Sequence, residues 1–421
     1  MATIVTGGSY VLEMDIGFSD GFTLDDVQQG VLDNTTYVLD GVDQYAEITT
    51  QIKTIRAFRG KKTVTDSIAP GVMTIQAIDA GRAFDPFNEA SIYYNTTDDT
   101  PGLSPLRQIR LSRNGDYIFK GRVVDFSYDY GTAFTKNLPT VTITCADDLF
   151  LLSNTFLEAF TPSVELSSAR VTTILDLPEV AYPATTRDIA TGSTTLGAYP
   201  VSEGTSVLGY LRSISDDAEA GRVFVSRTGD LTYDARIGNT LAGATVIFSD
   251  AGVDTPYSGL SIDYSTDQVI NRATVERVGG TAQTDTDAAS ITLYQIQAVS
   301  ITGSLLSSDA QALELATYLL SGTPDPRFSD VLVNFASLTT PQKNAVALLE
   351  IGDTVQITRS FSSGSPASIT AELAVEGIEH TTDPFSGHKM RIYTSPTSLV
   401  YNLLLDDAVY GTLDSSNVLG A

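Results

Sequence analysis

The sequence predicts a mainly β protein in which two β-rich blocks flank a small α/β module. Three observations carry that expectation. Residues 1–152 break into apolar-alternating stretches separated by turn dipeptides. Residues 153–256 bring helical periodicity with capping signals, and from residue 257 the strand-like alternation returns with one further good helix. A chain of 421 residues exceeds one ordinary core. It is therefore divided into a β unit at 1–152, an α/β insert at 153–256, a second β unit at 257–398 and a C-terminal extension at 399–421.

In the first block the expected strands are YVLEMDI, YAEITTQIKTIRAFRG, GVMTIQAID, LRQIRLSR, the ribbon GDYIFKGRVVDFSYDY (115–130) and LPTVTITCAD. Asn114-Gly115 is the strongest hairpin signal, because both positions of a type I′ turn need positive φ. It joins LRQIRLSR to the ribbon. A meander of this kind suggests a barrel or sandwich. Along the ribbon, Tyr117, Phe119, Arg122, Val124, Phe126 and Tyr128 are expected on one face if Gly121 absorbs a change of register. Both faces then carry apolar groups, and Lys120-Gly121-Arg122 interrupts them with charge.

In the insert a helix is expected from Ser168 to Leu177, stopped by Pro178. A second is capped by Thr205 and carries Val207, Leu211, Ile214 and Ala218 on one face, with Gly221 at its C′ position. RVFVSRTGDLTYDAR reads as a hairpin turning at Thr228-Gly229. Further on, Ser308 to Gln311 reads as a capping box before the stripe Ala312, Leu313, Ala316, Leu319, Leu320. Pro341 sits in the first turn of a short helix, and strands follow to residue 398.

Composition excludes several classes. Acidic residues number 51 against 25 basic ones, a formal net charge of −26, so nucleic acid should be repelled rather than bound. Charged residues make up only 18% of the chain, so the imbalance reflects scarce Lys and Arg and not an acidic tail. The lone Cys145 excludes an internal disulfide, and VTITC around it reads as a buried strand. MATIVTGGSYVLEMD lacks the basic and apolar segments of a signal peptide. No stretch approaches the roughly 18 apolar residues of a membrane span. Synthesis and folding in a cytoplasm, without an anchor, are expected.

No catalytic constellation is legible. G-x-S-x-G, Walker A and H-E-x-x-H motifs are absent. Acid pairs such as Asp25-Asp26 and Asp147-Asp148 read as solvated turns among many acids. His380 and His388 flank DPFSG with Asp383 nearby, but zinc sites need tighter His spacing or cysteines, so the segment reads as a turn between strands. None of the acidic stretches follows calcium-loop spacing. No cofactor is expected. The basic run Arg56, Arg59, Lys61, Lys62 reads either as an edge-protecting hairpin tip or as a contact with an acidic neighbour.

LDDVQQGVLDN (24–34) and LDDAVYGTLDS (405–415) share Leu-Asp-Asp-x-x-x-Gly-x-Leu-Asp. A common turn with capping carboxylates accounts for this, and so do equivalent contacts made by the two ends of the chain. The expected interface residues are therefore Arg59, Lys61, Lys62, Asp25, Asp26, Asp406 and Asp407, with Lys120 and Arg122 from the ribbon.

In order, FTLDDVQQGVLDNTTYVLDGVDQYAEITTQIKTIRAFRGKK, GRAFDPFNEASIYY and SPLRQIRLSRNGDYIFKGRVVDFSYDY resemble the N-terminal part of minor tail proteins of long-tailed bacteriophages. These are the tail-tip or baseplate hub proteins, especially of phages infecting actinobacteria. The resemblance continues in VLGYLRSISDDAEAGRVFVSRTGDLTYDAR, ALELATYLLSGTPDPRFSDVLVNF, LLEIGDTVQITRSF and VEGIEHTTDPFSGHKMRIYTSP, and closes in LLLDDAVYGTLDSSNVLG. Residues 178–203 and 279–290 carry none of it. It implies a homotrimeric structural hub with two tail-tube-like β-barrels per subunit and an α/β domain between them, without enzymatic activity. It also implies neighbours in the distal tail ring, the tape measure and other tip proteins, and an acidic lumen that passes genomic DNA without binding it. The ribbon would then pack its own core on one face and line the lumen with the other. A hexameric distal tail protein and a carbohydrate-binding tip protein are the competing expectations.

Overall fold

The computed structural model describes residues 8–17, 45–63, 66–96, 99–131, 138–236, 244–252, 254–324, 326–383 and 386–396. Its dominant feature is a single sheet of thirteen strands. In chain order these are β1 (Tyr10–Asp15), β2 (Tyr45–Glu47), β3 (Ile52–Gly60), β4 (Val72–Ile78), β5 (Gln108–Arg113), β6 (Asp116–Asp129) and β7 (Thr140–Ala146). Then come β8 (Val246–Ser249), β9 (Gly259–Asp263), β10 (Arg327–Asn334), β11 (Thr354–Ser360), β12 (Ser368–Asp383) and β13 (Gly387–Pro396). The spatial order is β9-β10-β13-β12-β3-β4-β7-β6-β5-β1-β2, with β8 on β11 and β11 on β12.

The two blocks are mainly β, but they do not stand apart as two closed barrels. They share one continuous ladder, and no closed barrel is found among the described residues. Strand β12 is the cause. Its first half pairs with β11 (Ser360↔Ser368 to Thr354↔Ala374), and its second half pairs with β3 (Gly377↔Gly60 to Thr382↔Ile55). The handover coincides with a bulge between Val375 and Gly377. Two glycines permit it: a Cβ on Gly60 (φ +90°) would lie 2.2 Å from the Glu376 carbonyl, and one on Gly377 would lie 2.3 Å from that of Lys61.

Each block still buries its own core. Leu12, Ile55, Ile75, Ile109, Phe119 and Ile143 belong to one cluster, so β1 and β3, far apart in strand order, curl around a common interior. Val246, Val331, Val355, Val375, Ile378 and Ile392 form the second. Cys145 is a buried core thiol, as expected from its strand context.

The middle module packs α1 (Asp148–Asn154), α2 (Ser167–Leu175) and α3 (Val207–Ile214) on short strands. After α4 (Ala288–Tyr294), helix α5 (Asp309–Leu319) also joins this core through Ala312, Leu315 and Ala316. The packing thus runs past residue 256, the boundary expected from sequence, and draws the strands Arg272–Arg277 and Ala298–Ser304 into the module. Helix α6 (Thr340–Ala347) carries Pro341 in its first turn, with Gln342 accepting from the Thr339 N–H.

Three local expectations need correction. The cap of α3 is Ser206, which accepts from the Gly209 N–H, and not Thr205. The left-handed residue after it is Ala220 (φ +53°), because α3 runs into a π turn at Ser215–Glu219 and ends one position early. Gly221 is required for another reason: a Cβ there would meet the Asp234 carbonyl at 2.2 Å. In the ribbon β6, the change of register falls at bulges on Ile118 and Val124, not at Gly121. Its core face is Phe119, Gly121, Val123, then Phe126 and Tyr128, and Arg122 and Val124 lie outside it. The Asn114-Gly115 turn has positive φ at both residues (+53° and +93°), as the hairpin demands.

Candidate functional site

A set of buried and half-buried polar groups lies where the three modules meet. Arg59, at the end of β3, is 3% exposed. One of its nitrogens, Nη1, donates to Glu350 Oε1 at 2.5 Å and to the Val225 carbonyl at 3.2 Å. The other Glu350 oxygen accepts from the Arg227 N–H at 2.7 Å, and the Arg227 guanidinium donates to the Tyr117 carbonyl at 3.0 Å. One cation and one carboxylate therefore tie the first block, the insert and the second block together.

Asp147 lies beside this knot. It caps α1 through the Leu149 N–H (3.0 Å) and also accepts from the Gly71 N–H (2.7 Å). Burial pushes its carboxyl up to about 7, against the pull of those two donors and of Arg59. It is a cap on the turn that starts β4, not the solvated turn acid expected from sequence.

A second polar chain crosses between the blocks. His388 Nδ1 lies 2.5 Å from the Tyr10 hydroxyl, and His388 Nε2 lies 3.0 Å from His380 Nδ1. The register explains the histidine pair: His380 opposes Met390 and His388 opposes Thr382, so the rings are diagonal neighbours on one face of the β12–β13 hairpin. The Phe335 ring lies 3.8 Å from that of His388, centroid to centroid. Burial, then Arg59 and Arg113, lower His380 to about 3. Burial, His380 and Arg113 hold His388 well below its ordinary value. Two guanidinium groups and no carboxylate make this a poor place for a dication. Among the described residues, no group of three His, Cys, Asp or Glu side chains is placed to hold a metal.

The expected interface residues are distributed as follows. Arg59 is not at an exposed tip: β3 turns back to pair antiparallel with β4, but the Arg-Gly-Lys-Lys run that leads into their connection stays bound along β12, where Gly60 opposes Gly377 and the Lys61 N–H donates to the Glu376 carbonyl at 2.9 Å. Lys61 is half-buried, 3.5 Å from Glu376. Lys62 is exposed, with its ammonium over the rings of Phe58 and Tyr393. Lys120 lies 4.1 Å from the Tyr117 ring centroid and packs against Gly229 of the insert, and burial lowers its pKa. Arg122 donates to the Leu106 carbonyl and lies 3.6 Å from Asp148. Asp25, Asp26, Asp406 and Asp407 lie outside the described residues. Sequence reasoning missed Tyr10, Glu350 and Arg113, whose partners lie hundreds of residues away and leave no local signal.

A cleft of about 340 Å³ opens between β8 and β9, with Tyr257, Ile262, Arg359 and Phe361 on its walls. Its polar groups are engaged with one another. Asp250 accepts from Arg359 (3.0 Å) and from the Ser360 N–H (2.9 Å), and Ser249 donates to the Ala251 carbonyl. Both histidines of the chain lie in the junction instead, so no imidazole stands beside that serine. No described helix is long and apolar enough to cross a membrane.

No family model matches the chain. No curated protein matches it either. Solved structures do. A tail protein from Neisseria meningitidis MC58 aligns over 85% of this chain and 94% of its own length, with a TM-score of 0.57 at 10% identity. The 43 kDa tail protein of prophage MuSo2 from Shewanella oneidensis aligns over 92% of this chain and 97% of its own, with a TM-score of 0.54 at 12% identity. Neither match singles out phages of actinobacteria. What the chain has in common with these two tail proteins is a fold that runs through nearly the full length of each.

Proposed function

We propose that this chain is a structural, non-enzymatic component of a phage tail, and that three copies form the hub at the tail tip. The observation that carries the reading is the near end-to-end correspondence of fold with the MuSo2 tail protein. In this reading each subunit contributes two tube-like β units, so that three subunits adapt a sixfold tube to a threefold tip. The curled cores of the two blocks, joined through β3 and β12, support two such units per chain.

The outer half of β6 fits a lumen-lining role. Beyond Val123 its residues alternate between half-buried and exposed, with Asp125 and Asp129 facing out on the solvent side. Acidic groups there would let DNA pass without adhering. The proposed neighbours are a distal tail ring, the tape measure and other tip proteins. Contacts across a subunit boundary fall to Lys62 and to the Leu-Asp-Asp segments at Asp25, Asp26, Asp406 and Asp407. Each exposed pair is worth only about 0–1 kcal/mol, so such contacts matter through repetition around a ring.

Sedimentation of the purified chain over rising concentration tests the stoichiometry. The reading predicts a reversible shift from monomer toward trimer. A hexamer would favour a distal tail ring, and a monomer at every concentration would remove the hub.

A further inference from the structure

We propose that Tyr10, His388 and His380 form an acid-sensitive latch that holds β1 of the first block against the β12–β13 hairpin of the second. The contact joins residues 378 positions apart and is buried at both ends. It is separate from the β3–β12 ladder, so its loss frees β1 from β13 without parting the blocks. The proposal does not depend on the tail-tip reading.

The groups around the two rings set the sign. Arg113 on β5 reaches Asn344 of α6 with Nη1 (2.8 Å), and its guanidinium carbon lies 5.6 Å from the centre of the Phe335 ring. Arg59 on β3 also bears on His380 through its charge. The acids of the adjoining strands are engaged elsewhere. On β12, Glu376 binds Ser395 and Lys61, and Glu379 binds Arg56 and Tyr393. On β1, Glu13 binds Arg110 and Asp15 lies near Arg107. On β13, Arg391 pairs with Asp330.

A proton added to either ring therefore enters a site with two guanidinium groups and no counter-charge. A first proton on His388 still finds hydrogen-bond acceptors in the Tyr10 oxygen and His380 Nδ1. A second, on His380, sets N–H against N–H. The closed latch holds both rings neutral. Opening it returns them to water, where each binds a proton with an ordinary value of about 6.5. Both folded values lie below that value, so the closed state is favoured at and above neutral pH and loses ground as pH falls. Two protons taken up per opening raise the opening constant by up to about 100-fold per pH unit below about 6.

Hydrogen exchange with site resolution, corrected for intrinsic rates, reads that constant in β1 and in residues 387–392. Wild type is expected to lose protection there by nearly 100-fold per unit between about pH 6 and 4.5. The double variant His380→Gln/His388→Gln keeps the titrating carboxyls and should lose that extra slope. Equal slopes in the two proteins would overturn the proposal. Should the variant fail to fold, NMR of the wild-type imidazole C–H groups decides alone, because the chain has only two histidines. Neither ring should titrate in the native state above about pH 5. Ordinary titration near 6.5 with the fold intact would overturn the latch.

Discussion

Replacing Arg170 by Met should cost about 4 kcal/mol, the largest single loss expected in the molecule. Its guanidinium is fully buried inside the middle module. Nε donates to Glu165 Oε1 at 2.5 Å, Nη1 to the Tyr210 hydroxyl at 2.8 Å, and Nη2 to the carbonyls of Ser163 (2.6 Å) and Gly197 (3.1 Å). Methionine fills the space but abandons a mostly buried carboxylate, a buried hydroxyl and two carbonyls. Urea unfolding followed by tyrosine fluorescence should show an early transition belonging to this module. A loss below about 1 kcal/mol would mean that the network relaxes into water.

Arg59→Met should cost about 3 kcal/mol, somewhat less because Glu350 keeps a fifth of its side chain in solvent and two backbone donors, Arg227 and Ile351. The change removes a cation that touches all three modules. It should therefore weaken their coupling as well as overall stability. The informative comparison is Glu350→Gln alone and with Arg59→Met. If the pair acts as a unit, the double variant loses clearly less than the sum of the singles. Additive losses would show that Arg59 acts through the Val225 carbonyl and its packing, not through Glu350.

Much of this architecture was legible in the sequence because it rests on local signals. Asn114-Gly115 forced a tight turn, and the caps and apolar stripes of α3 and α5 set those helices within one or two residues. What escaped depends on partners distant in the chain. Arg59-Gly60-Lys61-Lys62, which leads from β3 into its connection to β4, looks like an exposed tip because the partners of Arg59 and Lys61, Glu350 and Glu376, lie some 300 residues on. The ribbon's faces were misassigned because a bulge at Val124 leaves no mark in an alternating sequence. His380 and His388 flank the link between β12 and β13 but lie within the two strands themselves. Their meeting with Tyr10 could not be read, since nothing near Tyr10 announces a polar partner.

The proposal that this chain is a structural part of a phage tail tip is tested most directly in intact particles. Purified virions should contain the protein in the tail fraction at three copies per particle, and reconstruction of the tip should fit three copies of this fold around a threefold axis. Its absence from particles, or six copies in a ring above the tip, would contradict the account.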